Sequence, residues 1–218
     1  MADLKAAFTK SNPEARLNVS FGSSGNFFAQ IRSGAPMDVF LSADTDYPSR
    51  LIDKGSASRD SLTHYAIGHL ALWTSNLTLP LSTNLATVLA NASIRRIALA
   101  NPSHSPYGRA SKATLQHLEL WTPLQQKLVF ADNAAQALQF AQSGNAQIAI
   151  LPLSMAQARP NSSCNYVKIP SHWHAPIRQS GVLTTQGSQN PIARKFLAFL
   201  VTGTGQQIFK SHGFSVPD

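Results

Sequence analysis

Leu17-Asn-Val19-Ser-Phe21-Gly22-Ser23-Ser24-Gly25-Asn-Phe27-Phe28-Ala-Gln-Ile31-Arg-Ser-Gly34-Ala-Pro36-Met-Asp38-Val-Phe-Leu41-Ser42-Ala43-Asp44 is the stretch on which the fold turns. Leu17, Val19 and Phe21 alternate with polar residues, the period of a half-buried strand. After Gly22-Ser23-Ser24-Gly25 the period changes, and Phe27, Phe28 and Ile31 fall at helical spacing. Gly34-Ala-Pro36 stops that helix, and Asp38 to Leu41 reads as a short buried strand. A strand, a polar loop, a helix and a second strand in succession predict an α/β fold.

The same alternation extends outward in both directions. Met1 to Phe8 reads as the middle of an amphipathic helix. Strands are predicted at Ala66–Thr74, Arg96–Ala100, Lys127–Ala131, Gln147–Leu151 and Gly181–Thr185. The helix after Tyr107 carries Leu115 and Leu118 on one face. Asp132-Asn133 are N-cap residues for a helix bearing Ala134, Ala137, Leu138 and Ala141. Asn190-Pro191 opens another, with proline at its first position and Ile192, Phe196 and Leu200 as its buried stripe. The strands near 66–74 and 181–186 are candidate crossings between domains. They predict a discontinuous domain I, 1–68 with 180–218, an inserted domain II, 69–179, and a cleft between.

With 43% hydrophobic and 13% charged residues, the 218-residue chain can bury a sizeable core. Its net charge of +8 comes from 18 Lys and Arg that are scattered, only Arg95-Arg96 and Arg194-Lys195 being adjacent. No aromatics interleave with a basic run, so a nucleic-acid surface is not expected. A dispersed positive field instead concentrates small anions by long-range steering. One cysteine, Cys164, excludes an intramolecular disulfide and a multi-cysteine zinc site. No apolar stretch reaches the roughly 18–20 residues of a membrane span.

Three times a strand runs into a short polar loop that opens a helix: Gly22–Gly25, Ser105–Gly108 and Asp132–Ala134. A helix start presents unpaired N–H groups and a partial positive charge, which suits an anion. Ser24 adds a hydroxyl donor, and the flanking glycines allow close approach. Taken alone, a Gly-Ser-Ser-Gly is also what a flexible turn with a serine cap looks like. A nucleophile elbow is excluded because Gly-x-Ser-x-Gly would need glycine where Asn26 stands. His172-Trp173-His174 has the form of a metal pair, although such loops are usually solvated surface. His104 reads as a solvated loop histidine, and Tyr47, Tyr65 and Trp121 as packing residues.

Asn18-Val-Ser-Phe21-Gly-Ser-Ser-Gly25 with Gln30 to Asp44, Ala100-Asn-Pro-Ser-His-Ser-Pro-Tyr-Gly-Arg109 and Gln207-Ile-Phe-Lys-Ser-His-Gly-Phe214 together resemble the molybdate-binding proteins of ABC transporters. The resemblance covers essentially the whole chain. It implies the two-domain periplasmic binding-protein fold of type II, closing on its ligand by a hinge, with an ABC permease as partner and no catalysis. In that family a bare dianion is held by hydroxyls and backbone amides, without a charged side chain touching it. Carried over by position, the ligand contacts are Ser24, Tyr107 and the amide of Ala134, with Ser23, Asn133 and Pro152 just behind them. The expected ligand is molybdate or tungstate, with no cofactor and no free metal cation, and the expected protein is a periplasmic monomer. A donor-only pocket would discriminate against protonated phosphate, whose own O–H would lose its partner at about 1–3 kcal/mol.

Two departures qualify the resemblance. Some relatives place a tyrosine hydroxyl after the late apolar strand, where this chain has Pro152, with neither hydroxyl nor N–H; Tyr107 is expected to compensate. Relatives also begin with a strand and an Ala-rich loop carrying another ligand serine, just before the helix in which this chain starts. The expectation is therefore a truncated chain lacking its first strand, with that strand and a Sec-type signal encoded upstream. Receptors for sulfate, thiosulfate or phosphate remain alternatives, as does the ligand-sensing domain of a regulator, though no DNA-binding helix pair accompanies it. A hydrolase is disfavoured by the missing triad.

Overall fold

In a computed structural model describing residues 1–160 and 162–217, helices and strands alternate along the chain. They begin α1 (Ala2–Ser11), α2 (Ser24–Arg32), β1 (Val39–Ser42), α3 (Asp46–Asp53), β2 (Thr63–Gly68), β3 (Leu70–Thr74), α4 (Leu85–Ala90), β4 (Ile97–Ala100) and α5 (Pro106–His117). They continue β5 (Leu128–Ala131), α6 (Ala134–Gln142), β6 (Ile148–Pro152), α7 (Leu153–Gln157), β7 (Asn165–Lys168), β8 (Ile177–Leu183), α8 (Pro191–Phe199) and α9 (Gly203–Ser211). The chain divides into two compact units, Met1–Ile67 with Arg178–Asp218, and Gly68–Ile177.

The first unit holds a three-stranded sheet in the order β1-β8-β2. β1 runs antiparallel to β8, with Val39 opposite Leu183 and Ser42 opposite Ser180. Helix α1 is amphipathic as its sequence predicts: Leu4 and Phe8 are buried among Phe196, Leu197 and Leu200. Phe8 meets Phe196 edge-on at 5.2 Å between ring centroids, a favoured aromatic geometry. A second cluster joins Ile31 of α2 to Phe40, Tyr47, Leu51 and Val182. Burying each such side chain stabilises the unit by roughly 1.5–3 kcal/mol, so α2 and α3 are fixed against the sheet by their apolar faces.

The predicted strand at Leu17, Val19 and Phe21 does not form. These residues lie in irregular chain that joins no ladder among the described residues, and Phe21 is 75% exposed. Alternation makes a strand only where a neighbouring edge accepts its hydrogen bonds. The single strand predicted over 66–74 is in fact two, β2 and β3, broken at His69 and built into different sheets. The predicted strand at 181–185 overlaps the end of β8, which begins four residues earlier at Ile177 and closes at Leu183, after which Thr184 forms a bridge to Ala57 and donates its N–H to the Asp38 carbonyl oxygen at 3.0 Å.

The second unit holds a five-stranded sheet in the order β5-β4-β6-β3-β7. β4 is parallel to both β5 and β6, while β3 is antiparallel to β6 and β7. β3, β4 and β6 are buried throughout, which is why their sequences are continuous apolar runs and not alternations. Ala137, Leu138 and Ala141 of α6 cover Ala98, Ala149 and Leu151, together with Trp73 and the free thiol of Cys164. The parallel register sets Ala100 beside Ala131, and the Asn101 N–H donates to the Ala131 carbonyl oxygen at 2.8 Å. The loops that follow β4 and β5 therefore leave the sheet at one edge. No helix among the described residues is long and apolar enough to cross a membrane.

Candidate functional site

Among the described residues six helices start with a side-chain cap, α2, α4, α5, α6, α8 and α9, and α2, α5 and α6 are the three whose opening loops follow the candidate pattern. The Ser23 hydroxyl accepts from the Asn26 N–H at 3.3 Å ahead of α2. Ser105 accepts from the Gly108 N–H at 3.3 Å ahead of α5. Asn133 accepts from the Gln136 N–H at 3.0 Å ahead of α6. In each, the cap takes up the third amide of the helix and holds the loop in one geometry. The leading positions lie at the positive end of the helix dipole. Those positions are Ser24 in α2, Tyr107 behind the proline that opens α5, and Ala134 in α6. In α6 the Gln136 side chain also accepts from the Asp132 N–H at 2.6 Å, tying the loop before the cap to the first turn.

Tyr107 and Ala134 are brought to one edge of the second unit, because the strands before them are parallel neighbours. The approach of α5 to β4 depends on Gly108. A Cβ added there would stand 2.2 Å from the Ala100 carbonyl oxygen. Pro152 ends β6, which runs parallel to β4, and is buried opposite Leu70; it has no donor to contribute. Ser24 belongs to the first unit and is only 7% exposed. Its hydroxyl oxygen accepts from the Ala43 N–H at 3.1 Å, which fastens the start of α2 to the turn after β1.

That turn is the part of the site which sequence reading passed over. The Ser42 hydroxyl donates to the Asp44 carboxylate at 2.8 Å, and the Asp44 N–H donates back to Ser42 Oγ at 3.3 Å. The same carboxylate oxygen accepts from the Tyr47 N–H at 3.2 Å, ahead of α3. Ser-x-Asp between a strand and a helix is the available signal, since both residue types fold their side chains back onto nearby backbone.

The histidines do not form a centre. Among the described residues no group of three or more His, Cys, Asp or Glu is placed to hold a metal ion. His172 is exposed, its ring 6.2 Å from that of His117, whereas His174 is buried, its Nδ1 2.8 Å from the Ala175 carbonyl oxygen. The surface reading of that loop therefore holds for His172 and fails for His174, because the short turn at Ser171–Trp173 tucks the next residue inward. His69 has its imidazole pKa held below the usual value by burial first, then by Lys168 and His174 nearby. Tyr47 and Tyr65 are buried packing residues, as expected.

A family model described as bacterial extracellular solute-binding protein matches residues 1–215. The molybdate-binding protein ModA of Rhodobacter capsulatus is 32% identical over 212 residues, 97% of this chain and 82% of that protein. The structure of the periplasmic molybdate-binding protein of Azotobacter vinelandii superposes with a TM-score of 0.90 at 33% identity, covering 100% of this chain and 94% of the other. The substrate-binding domain of a putative molybdenum ABC transporter from Clostridium difficile gives 0.72 at 27% identity, covering 100% and 93%.

Proposed function

The chain belongs to the bacterial extracellular solute-binding proteins, and on that premise we propose that it captures molybdate for delivery to an ABC permease. Tungstate, a tetrahedral dianion of the same charge, is proposed as a second ligand. The proposed contacts are the hydroxyl and amide of Ser24, Tyr107 and the amide of Ala134, with Ser23 and Asn133 shaping their loops and Pro152 giving no donor. The protein is proposed to act in the periplasm as a monomer, without catalysis and without a nucleic-acid partner. Two domains, 1–68 with 180–218 and 69–179, are proposed, their bounds within two residues of those of the two compact units.

One observation carries the reading: the caps Ser23, Ser105 and Asn133 take up the third amides of α2, α5 and α6 and fix the three loops that open them, and a helix start held in this way suits an anion. The donors are neutral. A fully deprotonated dianion satisfies all of them, whereas a protonated phosphate brings an O–H that needs an acceptor.

Calorimetry with molybdate, tungstate, sulfate and phosphate tests this. Heat is expected from molybdate and tungstate, and heat from sulfate alone would overturn the substrate. Ser24→Ala is expected to weaken molybdate binding by about 1–3 kcal/mol, and Tyr107→Phe to weaken it if the hydroxyl donates. An unchanged affinity removes the substituted group from the site.

A further inference from the structure

A serine hydroxyl has one proton and two lone pairs, and its proton rotates to whatever acceptor is nearest. In this chain that freedom is restricted at Ser24. The Ala43 N–H occupies one lone pair at 3.1 Å, so the hydroxyl proton cannot point toward Ala43 and is turned to the remaining directions. The amide that imposes this is itself held. Asp44 grips the turn on both sides of Ala43, accepting from the Ser42 hydroxyl at 2.8 Å and from the Tyr47 N–H at 3.2 Å. Ser42 is 1% exposed and is fixed in the ladder opposite Ser180. Thr45, the next residue along, lies with its hydroxyl 3.0 Å from that of Ser180, so the turn is anchored to β8 as well.

The geometry points to Asp44 as a positioning residue for oxyanion capture: by locking the Ser42-Ala43-Asp44 turn, it aims the Ala43 amide at Ser24 Oγ and commits the serine proton to the ligand. This inference rests on the proposed reading of Ser24 as an anion donor. Asp44 does not touch the anion and acts through Ser24. The two donors that its carboxylate oxygen accepts from in the turn, the Ser42 hydroxyl and the Tyr47 N–H, are neutral, so holding the turn requires an acceptor oxygen at that place and not a negative charge. Asparagine retains such an oxygen; alanine does not.

The test is a double-substitution cycle read by calorimetry with molybdate. Asp44→Ala is expected to weaken binding about 5- to 10-fold in the parent, the scale of one misdirected hydrogen bond. Asp44→Asn is expected to bind within about 2-fold of the parent. In a Ser24→Ala background, Asp44→Ala should cost less than about 2-fold more, since the group it positions is gone. An equal loss in both backgrounds, or no loss in the parent, overturns the inference: a residue that merely supports the fold lowers both by the same factor. If Asp44→Ala does not fold, Ser42→Ala removes the other half of the turn, and the same cycle with it decides the matter. A parent protein that gives no heat with molybdate, tungstate, sulfate or phosphate defeats the proposed function itself, and the inference with it.

Discussion

Tyr107 is held at its post by the residue after it. With a Cβ on Gly108 only 2.2 Å from the Ala100 carbonyl oxygen, a side chain of any size forces the first turn of α5 away from the end of β4. Gly108→Ala is expected to cost about 1–3 kcal/mol of stability and to weaken molybdate binding by displacing Tyr107. Thermal unfolding and calorimetry on one preparation read both, and an undiminished affinity would detach Tyr107 from the ligand. At this scale the sequence was legible for residues whose partners are close in the chain. Ser24, Tyr107 and Ala134 announce themselves as the openings of helices. The bond from Ala43 to Ser24 spans 19 positions, and the reason for Gly108 is a backbone atom eight residues earlier. No local pattern encodes either of these. His174 went unrecognised for a related cause: its burial is imposed by how a short turn packs, not by its own polar neighbours.

Among the elements, the N-caps are where local chemistry and tertiary role coincide. Asn133 both starts α6 and shapes the loop whose leading amide, that of Ala134, is proposed to meet the anion. Asn133→Ala should destabilise the protein by about 1 kcal/mol and raise the hydrogen-exchange rate of the Gln136 amide, which donates to its side chain at 3.0 Å. Unaltered exchange there would mean that the cap is not what orders the turn. Helix starts such as Asn133 and Asn190-Pro191 could be read directly, and in the structure Asn190 accepts from Ile192 and Ala193 as a cap should. Strands were read less well. The alternation at 17–21 and the buried run at 38–41 both read as strands, yet of the two only the latter finds a partner edge among the described residues, β1 pairing with β8. The run over 66–74 is one apolar stretch in sequence but serves two sheets, because hydrophobicity reports burial and says nothing of which neighbour supplies it.

At the level of the whole molecule, the charge of +8 is spread over the chain and not concentrated in a run. Its expected effect is on the rate of capture. Raising ionic strength from about 0.01 to about 0.15 M shortens the screening length from roughly 30 to 8 Å. The association rate for molybdate should then fall severalfold in stopped-flow measurements while the dissociation rate holds nearly constant; an association rate indifferent to salt would deny the surface any part in steering. The interior offers a different kind of instrument. Cys164, the chain's one thiol, is 1% exposed in the cluster with Trp73. An alkylating reagent can reach it only when the second unit opens, so under fast-reclosing conditions the rate of modification is a clock for that opening. Molybdate at about 100 times its dissociation constant should slow the clock by about 100-fold if opening releases the ion. A clock that kept its pace would mean that the second unit can come apart with the ion still held, and would remove Tyr107 and Ala134 from its grip.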